Sequence, residues 1–119
     1  MPEGPEVTWH AALAEGRFLL QRGRASGKAF FPPRLSEPGT GDAADWFEAS
    51  GKGTVYSVSV VGQKPPTPNY AVVIVELDEG PRLMSRIDGL APEAIRIGLP
   101  VVARILTEGD GPILVFEAA

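Results

Sequence analysis

At 119 residues the chain suits one compact domain, or one small domain with a shorter appendage, and leaves no room for a multidomain enzyme. With 44% hydrophobic and 22% charged residues it has the composition of an ordinary globular protein, no run reaches the ~18 apolar residues of a membrane span, and a formal charge of −4 argues against general affinity for nucleic-acid phosphates. Cysteine is absent, which excludes disulfides, thiolate nucleophiles and thiolate metal sites together.

The opening Met1-Pro2-Glu3-Gly4-Pro5-Glu6 has neither the basic nor the apolar stretch of a secretory leader, so a cytoplasmic location is expected. Pro5 suits the first turn of a helix, in which Trp9 and Leu13, four residues apart, share a buried face and Gly16 is the stop. His10, the single histidine, has no acidic residue at metal-ligand spacing and reads as a helix-surface residue. Phe18-Leu19-Leu20-Gln21 and Lys28-Ala29-Phe30-Phe31 read as two short strands across a glycine-containing turn, and Pro32-Pro33 ends their ladder. Residues 35–45 carry almost no apolar side chains, after which Trp46 and Phe47 return to the core. Ser50-Gly51-Lys52-Gly53 marks the boundary between a first part, residues 1–50, and a second, residues 51–119.

In the second part Thr54 to Val61 alternates, with Tyr56, Val58 and Val60 on one face and Val55, Ser57, Ser59 and Val61 on the other. Gly62 to Asn69, with Pro65, Pro66 and Pro68, is a stiff polyproline-like loop. Ala71 to Leu77 is the continuous apolar run of a central strand, which Asp78-Glu79-Gly80-Pro81 turns into Arg82 to Ile87. Pro92-Glu93-Ala94-Ile95 is one helical turn at most. Val101 to Thr107 and Ile113 to Glu117 form a second hairpin across Glu108-Gly109-Asp110-Gly111. Three strands, a short helical insert and two strands follow the order of a five-stranded Greek-key barrel, the OB-fold, so the expected class is mainly β.

Motifs for autonomous catalysis fail. The first six residues resemble the start of the formamidopyrimidine and endonuclease VIII DNA glycosylases, where Pro2 would be the amine nucleophile and Glu3 a general acid, but the likeness ends at Val7 and neither length nor charge suits those enzymes. Gly51-Lys52 lacks the spacing of a phosphate loop and leads into a strand where a dinucleotide site needs a helix. No Gly-x-Ser-x-Gly elbow is present, and Asp78-Glu79 is explained by its turn. The chain is not expected to be an enzyme in its own right.

A broader resemblance runs through most of the sequence. It is carried by Trp9, by Gly16-Arg17-Phe18-Leu19-Leu20-Gln21-Arg22 and Pro32-Pro33-Arg34, and by Trp46 with Ser50-Gly51-Lys52-Gly53-Thr54-Val55-Tyr56-Ser57. Val75-Glu76-Leu77-Asp78-Glu79-Gly80-Pro81-Arg82-Leu83 and Arg96-Ile97-Gly98-Leu99-Pro100-Val101 complete it. On these segments the chain resembles the acyl-CoA-associated OB-fold proteins that carry an N-terminal rubredoxin-like zinc ribbon. The resemblance implies an N-terminal helix and ribbon in residues 1–50, followed by the OB-fold domain in residues 51–119. One departure concerns the metal. In that family two Cys-x-x-Cys knuckles bind zinc, whereas the matching positions here hold Gly23, Ser26, Glu37 and Thr40, of which only Glu37 is a competent ligand. Arg22, Gly27, Pro38 and Gly41 still fit the knuckle frame, so a metal-free, degenerate ribbon with no zinc and no other cofactor is expected.

The family resemblance implies a non-catalytic accessory subunit that docks on a thiolase-fold enzyme of acyl-CoA metabolism, as a hetero-oligomer, and helps hold CoA or acyl-CoA. The residues lend support: Arg17, Arg22, Arg24, Lys28 and Arg34 form a run without an acid in a chain of net negative charge. Arg forks match phosphate oxygens, so Arg24, Lys28 and Arg34, with Phe30 and Phe31 against the adenine or pantetheine and Lys64 at the tip of the proline loop, are the candidate CoA contacts. The same cations also suit a solvated hairpin, and the two phenylalanines also suit the core. An alternative function is an OB-fold module for single-stranded nucleic acid. Against it, residues 53–119 carry five basic side chains (Lys64, Arg82, Arg86, Arg96, Arg104) and eight acidic ones. No membrane partner is expected.

Overall fold

The structure, a computed structural model, describes residues 4–119, so Pro2 and Glu3 of the glycosylase-like start lie outside the described residues. Helix α1 spans Pro5–Ala14 with proline in its first turn. It ends in a Schellman motif: Gly16, at φ +81°, donates its N–H to Leu13 O at 2.9 Å, and Arg17 donates to Ala12 O at 2.8 Å. Ala12 and Leu13 are buried; Trp9 is half-buried and His10 is exposed beside it, ring against ring.

Three strands follow, β1 (Leu19–Gly23), β2 (Ala29–Phe30) and β3 (Ala44–Glu48), in the antiparallel order β2-β1-β3. The two short strands were expected and the third was not, because Ala44-Asp45 opens it in a stretch poor in apolar residues. Pairing with β1 over Leu19↔Glu48 to Gly23↔Ala44 places it. Tertiary pairing here outweighs local propensity.

The second sheet contains β4 (Lys52–Val61), β5 (Tyr70–Leu77), β6 (Arg82–Ser85), β7 (Ile87–Asp88), β8 (Pro100–Glu108) and β9 (Gly111–Ala118), in the order β6-β5-β4-β8-β9-β7. The run expected as one strand, residues 82–87, is interrupted at Arg86. Its first half pairs with β5 antiparallel and its second with β9 in parallel, so one run closes the sheet on itself. Phe116 N–H donates to Arg86 O at 3.1 Å across the break. This closure is that of the five-stranded OB barrel. The helical insert is a single 3₁₀ turn, Pro92–Ala94.

One expected pattern is corrected. A β-bulge between Val55 and Ser57 adds a residue to β4, so Val55 and Val58 sit opposite the fully buried Val75 and Val73, while Tyr56 is 47% exposed. The bulge changes the parity of the period-2 pattern, and the anticipated grouping of Tyr56 with Val58 does not hold. Tyr56 instead lies beneath the Arg82 guanidinium, 3.8 Å from its ring centroid. Gly53 answers a different demand: a Cβ there would meet Glu76 O and Val75 Cγ1, both at 2.8 Å.

Phe18 and Leu20 belong to the same apolar cluster as Val55, Val73, Val75, Leu83, Val101 and Phe116, with Trp9, Phe31 and Phe47 packed against it. One core therefore joins the N-terminal sheet to the barrel. Among the described residues no helix is long and apolar enough to cross a membrane.

Candidate functional site

The end of the N-terminal sheet away from the barrel is built from two matching turns. Gly27 N–H donates to Gly23 O at 2.8 Å, and Gly41 N–H donates to Glu37 O at 2.9 Å. Between them lies the Glu37 side chain, 6% exposed. Its carboxylate accepts the Ser26 hydroxyl from the first turn and, at 2.7 Å, the Thr40 hydroxyl from its own. Both hydroxyl oxygens are fixed in turn, Ser26 Oγ accepting Lys28 N–H at 3.1 Å and Thr40 Oγ1 accepting Asp42 N–H at 3.2 Å. The Ser26 hydrogen bond, then that of Thr40, with the nearby Lys28 charge adding to both, hold the carboxyl below the usual Glu range. Gly23 completes the cluster by being small: a Cβ on it would lie 2.5 Å from the Glu37 carboxyl carbon.

The four positions that the family resemblance assigns to the knuckle cysteines thus meet at one point. The groups present do not fit a zinc ion. A structural site needs four N, S or O ligands in a tetrahedron, and here there is one carboxylate, two hydroxyls already used as donors, and no side chain at Gly23. The space between the turns is occupied by the carboxylate itself.

The basic segment is spread along this sheet. Arg24 forms an ion pair with Asp45 at 2.7 Å, on a well-exposed surface, and Arg22 lies over the Phe47 ring at 4.1 Å. Lys28 and Arg34 are exposed and form no ion pair among the described residues. Arg34 is nonetheless fixed through its backbone: its N–H donates to Gln21 Oε1 and its carbonyl accepts Gln21 Nε2–H, both at 2.7 Å. Gln21 is 5% exposed. Sequence reasoning missed it as a positioning residue, and the available signal was a single amide ending the apolar run Phe18-Leu19-Leu20.

Phe30 and Phe31 are both half-buried, and Phe31 packs at 5.5 Å from the Trp9 ring. Trp9 is anchored by its indole N–H, which donates to Leu19 O at 2.9 Å. Phe31 lines a groove of about 210 Å³ with Trp9, Met84 and Leu114. Arg34 borders a separate cleft of about 720 Å³ between the start of α1 and residues 33–41, with Val7 and Leu35. Lys64 lies in the exposed loop after β4, tied at its base by Asn69 Oδ1 to Gln63 N–H at 2.9 Å. The six candidate CoA contacts therefore do not line one cavity: Arg24, Lys28 and Arg34 lie around the N-terminal turns, Phe30 ends β2, Phe31 faces the barrel groove, and Lys64 follows the end of β4 remote from the junction.

A family model described as the ChsH2 C-terminal OB-fold domain matches residues 46–106. A probable enoyl-CoA hydratase alpha subunit of Thermomonospora curvata is 41% identical over 100 residues, which are 79% of this chain and 31% of that protein. A DUF35 domain-containing scaffold protein of Methanocaldococcus jannaschii is 34% identical over 99 residues, 76% of this chain and 70% of its own length. The chain thus spans about a third of the hydratase subunit and most of the archaeal scaffold protein. Among solved structures, a chain of the Ltp2-ChsH2(DUF35) aldolase superposes with a TM-score of 0.84 at 34% identity, covering 98% of this chain and 96% of that one. A DUF35-family protein from Sulfolobus solfataricus, 14% identical with a TM-score of 0.70, shares the fold.

Proposed function

The chain belongs to the family of the ChsH2 C-terminal OB-fold domain, and from that premise we propose that it is a non-catalytic, cytoplasmic accessory subunit that docks on a thiolase-fold enzyme of acyl-CoA metabolism and contributes contacts to the CoA moiety. The observation that carries this reading is the likeness, over nearly the full length of both chains, to a chain of the Ltp2-ChsH2(DUF35) aldolase. Relatives named as scaffold proteins and as a hydratase alpha subunit support an accessory subunit in acyl-CoA metabolism. The sequence has no cysteine, so in this reading the partner supplies the thiolate as well as the remaining catalytic groups.

Lys28 and Arg34 are the strongest candidates for the CoA phosphates, since each presents an exposed charge with no ion-pair partner among the described residues. Gln21 pre-orients the Arg34 backbone, which lowers the ordering cost of a contact there. Arg24 must first leave Asp45, and Phe30, Phe31 and Lys64 serve as secondary contacts.

Mild affinity purification of the tagged chain from its native host, with mass spectrometry of co-eluting proteins and CoA species, tests the proposal. A thiolase-fold protein in near-stoichiometric yield is the expected result. Elution alone, or with nucleic acid, would overturn it, as would turnover of an acyl-CoA by the purified chain without a partner.

A further inference from the structure

We propose that the Glu37 carboxylate performs in this chain the structural task a metal ion would perform at the same four positions: it ties the turn at residues 23–27 to the turn at residues 37–41, so the N-terminal sheet keeps its shape without zinc. The tie is visible atom by atom. Glu37 belongs to the second turn and Ser26 to the first, and the hydrogen bond between them crosses from one to the other. A hydroxyl donating to an ionised carboxylate is among the stronger hydrogen bonds available to a protein. Thr40 takes up the other carboxylate oxygen, so both are engaged, as burial of a charged group demands.

The four residues fit one another better than any of them fits a metal. Ser26 and Thr40 are donors toward the centre, where a cation needs acceptors. Gly23 has no positive φ to account for it. Its reason is space: a Cβ would fall 2.5–2.6 Å from three atoms of the carboxyl group, and the carboxyl, gripped by two hydroxyls, gives way only by losing them. A small residue at 23, hydroxyls at 26 and 40, and a carboxylate at 37 therefore form one interdependent set.

The purified full chain tests this first. No stoichiometric zinc and a melting temperature indifferent to a chelator are expected, and one tightly held equivalent of zinc overturns the proposal. A double-mutant cycle then asks whether Gly23 and Glu37 act together, with the denaturation midpoint read from tryptophan fluorescence, because Trp46 stands in β3 opposite Gln21 of β1. Gly23→Ala is expected to lower the midpoint at least about twice as much in the native background as in Glu37→Ala, since the clash needs the carboxylate; additive effects overturn the proposal. Should Glu37→Ala fail to fold, a variant carrying Gly23→Cys, Ser26→Cys, Glu37→Cys and Thr40→Cys is titrated with cobalt(II). Uptake of one equivalent with tetrahedral thiolate absorption is expected, and no uptake overturns the convergence of the four positions.

Discussion

In the barrel, β4, β5 and β9 supply Val55, Val73, Val75 and Phe116, each at most 1% exposed, whereas beyond Leu20 the buried residues of the N-terminal sheet are Gln21, Gly23 and Glu37. The first region rests on apolar burial, which is non-directional and shared among many neighbours. The second rests on a few directional ties: Glu37 to two hydroxyls, Gln21 to the Arg34 backbone, and the Trp9 indole to Leu19 O. Such ties are strong while complete, and they fail singly, because removing one partner leaves a buried group unsatisfied. The N-terminal sheet is thus expected to lose order one tie at a time, and the barrel to lose it all at once.

The largest effect belongs to the barrel. Phe116→Ala empties the centre of a cluster that also includes Phe18 and Leu20, so about 3–5 kcal/mol of global stability is expected to go. Denaturation followed by far-UV circular dichroism and by tryptophan fluorescence should shift together. A loss below about 1 kcal/mol would contradict a shared core. Gly53→Ala comes next, at about 1–3 kcal/mol, because the new methyl meets a backbone carbonyl in β5 that cannot rotate away. An unchanged midpoint would show that β4 and β5 are free to separate there.

Gln21→Leu sharpens the contrast. The substitution preserves bulk but leaves the Arg34 N–H and carbonyl without their partner, a cost of about 2 kcal/mol. That cost should fall on the N-terminal sheet alone, so the fluorescence transition is expected at lower denaturant than the dichroism transition. Coincident curves would mean that the two regions unfold as one unit. In the proposed function the same variant also weakens CoA binding by the complex, since Arg34 loses its fixed backbone.

How much of this was legible follows the same division. The barrel could be read from the sequence because apolar periodicity and turn residues announce it: Ala71 to Leu77, the Glu79-Gly80 turn and the closing hairpin all stand where expected. The bulge at Tyr56 was not legible, because alternation carries no mark of an inserted residue, and neither was the split at Arg86, where one apolar run serves two neighbours. In the N-terminal region the helix stop at Gly16 was readable from its glycine. Strand β3 was not, since Asp45 and Glu48 look like loop residues until β1 pairs with them. The resemblance assigned Gly23, Ser26, Glu37 and Thr40 to the knuckles, but their mutual fit was not foreseeable, because a glycine, two hydroxyls and a glutamate carry no spacing rule of their own. Polar ties are written in three dimensions, whereas burial is written in periodicity.

The smallest effect, and the last test of the contrast, is acid. Glu37 lies below the ordinary value of 4.5, so its ionised form is favoured by folding; this contribution is fully present above the unfolded value and is lost as pH falls below it toward the folded value. The Ser26 and then the Thr40 hydrogen bond are the main causes, opposed by burial, and the Lys28 charge adds to them. Asp45, held down by Arg24, and Glu108, held down by Arg86, follow the same sign, but both pairs are exposed and screened by salt. In high salt, therefore, tryptophan fluorescence should stay constant from neutrality to about pH 5 and begin to change below 4.5, ahead of far-UV dichroism. Glu37→Gln removes the titrating group and should remove that early step while leaving the later one. An early step that survives in Glu37→Gln, or that vanishes from the native chain when salt is added, would assign it to the surface pairs and leave the two regions alike in acid.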